Sequence, residues 1–167
     1  MCGIAGLIDT SLDRSAIQRA LKVMTDSMIH RGPDDEGFFV DDGVSIGMHR
    51  LSIIDLAGGR QPISNEGGHI HVVFNGEIYN YLPLCTALER GGHHFATKSD
   101  TEVIAHLYED RGAACLEELR GMFGIALWDQ RARSLLLARD RMGEKPLFYA
   151  WHQGRLLFRF VRNHAAP

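Results

Sequence analysis

Residues 122–143 read MFGIALWDQRARSLLLARDRMG, two apolar runs on either side of the polar stretch Asp129–Arg133. Each run is too short for a buried helix and is bounded by a turn, so the segment predicts a β-hairpin. The same pattern recurs in residues 145–158, KPLFYAWHQGRLLF, around a turn at His152–Gly154. It recurs again in residues 37–54, GFFVDDGVSIGMHRLSII, around Asp41–Gly43. Residues 2–9, CGIAGLID, predict a buried first strand, and residues 69–76, HIHVVFNG, another that ends at Gly76.

Between these groups the period changes. In residues 11–28 the apolar positions Leu12, Ile17, Ala20, Leu21, Met24 and Met28 follow helical spacing. Residues 77–92 predict a helix stopped by Gly91 and Gly92, with its regular part confined to the residues after Pro83. Residues 99–112 predict a helix capped by Ser99 or Asp100 and stopped by Gly112, and residues 113–121 a shorter one. Helices lie between groups of strands rather than after every strand. That order points to antiparallel sheets covered by helices, a layered α+β domain, and away from a doubly wound parallel fold.

The length of 167 residues suits one domain with a substantial core. A net charge of −3 gives no basic surface for nucleic acid or an anionic membrane. No apolar run approaches the roughly 18 residues of a membrane helix, and no basic segment with an apolar stretch behind it opens the chain. Three cysteines, Cys2, Cys85 and Cys115, are too few and too scattered for a disulfide framework, so a reducing cytoplasm is expected. His69 and His71 would share a strand face, but no third ligand stands at a recognisable metal spacing, and solvated polar positions are expected there.

Cys2, directly behind the initiator methionine, is either a buried strand thiol or the first residue of a processed chain. In the second case one residue carries a thiol of pKa about 8.5 and an α-amine of about 7.7–8.0, and the amine can relay the thiol proton. Acyl transfer by that thiol needs an oxyanion stabiliser. FNGEIYN, residues 74–80, offers the Asn75 amide and a Gly76 N–H just past a strand end; the alternative is an ordinary Asn-Gly turn. Arg50 can grip a carboxylate with its planar fork or be a surface arginine. Asp100 can hold an ammonium, cap its helix, or both.

The order of these segments is distinctive: MCGIAG, HRGPD, RLSIID, QPI, FNGEIYN, SDTEVI, GMFGIALWD and RDRMGEKPLFY occur in series. The series resembles the glutaminase domain of glutamine-hydrolysing asparagine synthetases, within the class II (N-terminal nucleophile) glutamine amidotransferases. It covers residues 1–158. The resemblance implies an αββα four-layer sandwich and the hydrolysis of L-glutamine to glutamate and ammonia. It implies Cys2 as nucleophile after methionine removal, its α-amine as base, and Asn75 with Gly76 as oxyanion hole. Arg50 would hold the substrate α-carboxylate and Asp100 its α-ammonium. Leu51, Ser52, Ile53 and Ile54, by their backbone, and Glu77 would complete the pocket, and Arg31 and Gly32 belong to a loop expected to close over it.

No cofactor or metal is implied for this half-reaction; ATP and magnesium would serve only a C-terminal synthetase domain, for which no SGGxDS-type loop is present. The expected partner is a synthetase domain or subunit that accepts ammonia. Residues 159–167, RFVRNHAAP, depart from the family pattern as a divergent tail, which leads us to expect a truncated or frame-shifted copy, with a stand-alone glutaminase as the alternative, and an uncovered edge on the sandwich. A second function class is a catalytically silent remnant that binds glutamine or a synthetase partner. Retention of Cys2 favours the enzyme, since binding alone needs no nucleophile.

Overall fold

A computed structural model describes residues 2–50 and 59–160. Two antiparallel sheets face one another. The first has five strands: β1 (Gly3–Ile8), β2 (Asp35–Asp41), β3 (Val44–Arg50), β8 (Phe148–His152) and β9 (Arg155–Arg159), in the order β2-β3-β1-β9-β8. The second has four: β4 (Ile63–Ser64), β5 (Ile70–Ile78), β6 (Gly121–Asp129) and β7 (Ser134–Arg139), in sequential order. Each hairpin anticipated from sequence forms. In the β6–β7 turn the Asp129 carboxylate accepts the N–H groups of Arg131 and Ala132, while Arg133 takes a positive φ of 49°.

Alternation along each strand divides the core. Ile4, Val44, Ile46 and Met48 point from the first sheet into a shared layer with Val73, Ala126 and Trp128 of the second. Phe160, the second residue of the expected divergent tail, is buried in that layer, and its N–H donates to the Ile4 carbonyl at 3.0 Å. The opposite faces carry the helices. Helix α1 (Arg14–Asp26), capped where the Asp13 carboxylate accepts the Ala16 N–H, packs Ile17 and Leu21 against Leu7 on the first sheet. Helices α2 (Tyr81–Arg90), α3 (Asp100–Arg111) and α4 (Cys115–Glu118) cover the second sheet. The result is the αββα sandwich that the resemblance implied. None of these helices is long and apolar enough to cross a membrane.

Four local expectations are corrected. Strand β5 does not end at Gly76 but runs on to Ile78, with Gly76 paired to Phe123. The strands approach so closely there that a Cβ on Gly76 would overlap the Met122 carbonyl oxygen, and glycine lets the pairing continue. Helix α2 begins before Pro83, which falls in the first turn where N–H groups have no intrahelical acceptor to lose. Ser99 alone caps α3, its hydroxyl accepting the Thr101 N–H, and Asp100 is the first helical residue. His71 is not solvated: it lies buried between the sheets, stacked on Phe39 at 3.7 Å and hydrogen-bonded to Gln130 and Ser64.

The edge strand β8 leaves Tyr149 and Trp151 exposed.

Candidate active site

Cross-strand register brings two of the expected residues, Cys2 and Arg50, to one end of the first sheet. Asp35 of β2 pairs with Arg50 of β3, and Gly3 of β1 pairs with His49. One step beyond, Cys2 falls opposite Arg50. Because Ile4 and Met48 point between the sheets, so do Cys2 and Arg50, two residues further along each strand. Cys2 is half-buried against this inter-sheet layer, and Arg50 is buried. Arg60 forks onto the Asp35 carboxylate with bonds of 3.0 and 3.1 Å, and with a smaller contribution from Arg50 holds it below the ordinary aspartate range.

The facing wall is β5. Val73 points between the sheets, and Asn75 therefore does too. Its carboxamide is 5% exposed and makes no hydrogen bond to the other described residues, so its donors are available to a ligand. The N–H groups of Phe74 and Ile78 point away from β6, to side-chain acceptors: Gln61 Oε1 at 2.6 Å and Asp100 Oδ2 at 3.0 Å. Gly76 lies midway, so strand alternation aims its N–H toward the same open edge. Asn75 and Gly76 thus offer two neighbouring donors, one from the side chain and one from the backbone, as an oxyanion requires.

Asp100 reaches this edge from the first turn of α3. Burial, and then the nearby Glu77 carboxylate, push its pKa above the ordinary value, opposed by the Ile78 N–H. Two neighbouring carboxylates make a receptor for a cation. Glu77 itself is exposed at the rim. The turn of residues 30–34 sits against the end of β3: the Asp34 N–H donates to the Arg50 carbonyl at 3.2 Å, and Gly32 is buried against His49 and Arg50. A Cβ there would lie 2.5 Å from their backbone carbons, so the motif needs glycine for close approach. Arg31 belongs to the same turn and is partly buried. Leu51, Ser52, Ile53 and Ile54 lie outside the described residues.

Sequence reasoning missed Gln61. Its carboxamide accepts the Phe74 N–H and donates to Thr101 Oγ1 at 3.1 Å, tying β5 to α3 on the edge where Gly76 and Asp100 meet. The QPI segment was a visible signal, but nothing local says that a side chain would continue a two-residue strand. Glu102 is a second such support. It is buried and accepts the N–H groups of Ala96 and Thr97 at 2.7 Å, fixing the loop that delivers Asp100.

Residues 1–161 match the family model described as a glutamine amidotransferase domain. The chain is 47% identical over 160 residues to asparagine synthetase [glutamine-hydrolyzing] 2 of Bacillus subtilis, covering 95% of this chain and 21% of that relative. It is 42% identical over 165 residues to asparagine synthetase [glutamine-hydrolyzing] 1 of the same organism, covering 98% and 26%. The chain therefore spans about a quarter of the length of these curated relatives. In three dimensions it superposes with a TM-score of 0.76 on the glutamine phosphoribosylpyrophosphate amidotransferase from B. subtilis, at 22% identity over 95% of this chain and 41% of that one, a likeness of fold.

Proposed function

The chain belongs to the glutamine amidotransferase domain family, and from that premise we propose that it hydrolyses the side-chain amide of L-glutamine through a thioester on Cys2. Removal of the initiator methionine gives Cys2 a free α-amine beside its thiol. The amine takes the thiol proton as sulfur bonds to the amide carbon, and the carbonyl π electrons move onto oxygen. Asn75 and Gly76 donate to that oxyanion. The protonated amine then gives its proton to the departing nitrogen; ammonia leaves and a γ-glutamyl thioester remains. Water attacks the thioester, the same amine relays its proton, and glutamate is released.

Arg50 takes the substrate α-carboxylate in this reading, and Asp100, with Glu77, its α-ammonium. The backbone of Leu51–Ile54 completes the pocket and the Arg31–Gly32 turn closes it. The half-reaction needs no cofactor. Ammonia passes to a synthetase domain or subunit, where ATP and magnesium would be used, in the cytoplasm. The names of the relatives, asparagine synthetases that hydrolyse glutamine, support asparagine as the eventual product.

One observation carries the reading. The register sets Cys2 beside Arg50 on one sheet, facing a wall where Asn75 has unused donors and Asp100 closes the edge. The test is intact-mass measurement of the purified full chain, with glutamate release assayed on the same sample. We expect a chain lacking Met1 that releases glutamate and takes up one equivalent of an electrophilic glutamine analogue at Cys2. Methionine-bearing protein that hydrolyses glutamine equally fast would overturn it.

A further inference from the structure

On the helical side of the second sheet, away from Cys2, four side chains from three separate segments converge. Glu66 comes from the β4–β5 turn, His93 from the connection after α2, and His106 and Glu109 from α3, one helical turn apart. One ligand atom from each lies within 4.8 Å of all the others. His106 is fully buried, and neither of its ring nitrogens makes a hydrogen bond among the described residues. Both nitrogens face carboxylates, Glu66 at 3.2 Å and Glu102 at 3.5 Å, without forming a hydrogen bond, and a buried imidazole left so is costly.

We propose that Glu66, His93, His106 and Glu109 form a structural site for a divalent transition-metal ion of the zinc class. Two imidazoles and two carboxylates suit four-coordinate zinc better than magnesium or calcium, which take oxygen ligands. Metal–ligand bonds of about 2.0–2.1 Å place tetrahedral neighbours roughly 3.3 Å apart. Two of the separations already come close to this, through the two different oxygens of Glu66. Glu66 Oε2 stands 3.2 Å from His106 Nδ1, and Glu66 Oε1 stands 3.4 Å from His93 Nδ1. Glu66 and Glu109 are exposed, so their carboxylates can turn to close the remaining distance while each keeps one oxygen on its present donor.

The far nitrogens are backed as metal-bound histidines usually are. His93 Nε2 lies 3.2 Å from the Asp110 carboxylate, and His106 Nε2 lies 3.5 Å from Glu102. Glu109 is oriented by the Asn65 amide at 2.8 Å, and Glu66 accepts the His94 N–H at 2.9 Å. The other carboxylate–histidine cluster among the described residues, Asp26, Glu36 and His49, differs in kind: the Lys22 ammonium already sits on both its carboxylates, at 2.5 and 2.9 Å. The ion would staple the β4–β5 turn to α3 and to the loop that leads to Asp100.

The test uses the full chain carrying Cys2→Ser and Cys85→Ser, so that neither half-buried thiol competes for metal, stripped with a chelator and titrated calorimetrically with zinc chloride. We expect one ion per chain and a rise in thermal midpoint that magnesium does not produce. Cobalt(II) in place of zinc should give the intense visible bands of a tetrahedral centre. Because His106 is a core residue, the diagnostic variant is the double substitution His93→Gln with Glu109→Gln, checked for native circular dichroism. Its zinc affinity should fall by at least about a hundredfold, beyond the tenfold to hundredfold typical of outer-shell changes. Absence of stoichiometric zinc binding, or equal affinity in the folded double variant, would overturn the assignment and leave ion pairing alone to hold the cluster.

Discussion

The Asp100 carboxylate accepts the Ile78 N–H at 3.0 Å, which joins the start of α3 to the last residue of β5, two positions beyond Gly76. The group proposed to hold the substrate ammonium and the strand proposed to hold the oxyanion are therefore one mechanical unit. Displacing either displaces the other.

Asp100→Asn keeps the shape and a carbonyl acceptor for Ile78 but removes the charge. A charge-assisted hydrogen bond contributes about 1.5–3 kcal/mol, so KM for glutamine should rise roughly tenfold to a hundredfold. The pH dependence carries a sign. Burial raises the Asp100 pKa above 3.8, so the free protein holds this proton at higher pH than an ordinary aspartate does. Binding an ammonium requires the carboxylate, hence releases the proton. Glutamine affinity should fall as pH drops through the raised value and level off above it. Steady-state kinetics at several pH values checks this, and a KM profile unchanged by Asp100→Asn would exclude the role.

Asn75→Ala removes one oxyanion donor from a strand whose backbone pairing with Gly124 is unaffected. We expect kcat to fall about 10²–10³-fold, equivalent to about 2.7–4 kcal/mol, with glutamine still bound. The measurement is single-turnover glutamate release beside equilibrium binding. Loss of binding with unchanged chemistry would assign Asn75 to the ground state instead.

Gln61→Ala strands the Phe74 N–H and should cost about 1–3 kcal/mol of stability, read from thermal or urea unfolding. Gln61→Glu keeps an acceptor for Phe74 and can accept a hydrogen bond from the Thr101 hydroxyl. It should retain most of both stability and turnover. Equal losses in the two variants would mean that side-chain bulk, not the bridge, is what matters.

The three thiols should separate cleanly in alkylation at neutral pH. Burial lifts Cys115 to about 11, and burial, then Glu89 and Glu102, raises Cys85 as well. Cys2 is half-buried at the inter-sheet surface. Iodoacetamide should modify Cys2 first, with glutamine protecting it, and leave Cys115 untouched until the chain unfolds. Peptide mass mapping with and without glutamine reads the order.

How much of the fold and the site was legible beforehand depends on the range over which each signal acts. Hairpins and helices were readable because alternation, helical spacing, caps and turn residues act within a few positions of the chain. That also pointed to antiparallel sheets covered by helices, since strands came in groups with helices between them; the four-layer αββα order came from the family resemblance. Cys2, Arg50, Asn75 and Asp100 were visible as motif residues, but one at a time.

Their geometry was not readable, because it depends on register between strands far apart in sequence. Nothing near Cys2 says that Arg50 lies beside it, and nothing near Phe74 says that Gln61 will accept its N–H. The end of β5 was misplaced for the same reason: Gly76 looks like a stop until close approach of Met122 makes glycine the condition for continuing. His71 went from a solvated position to a stacked one because the first sheet supplies Phe39. The convergence of Glu66, His93, His106 and Glu109 is the extreme case. By itself the sequence determined which elements form and which groups are candidates for chemistry, because those choices are local; only the tertiary structure decided which groups meet, because packing two sheets and their helices fixes distances that no spacing along the chain encodes.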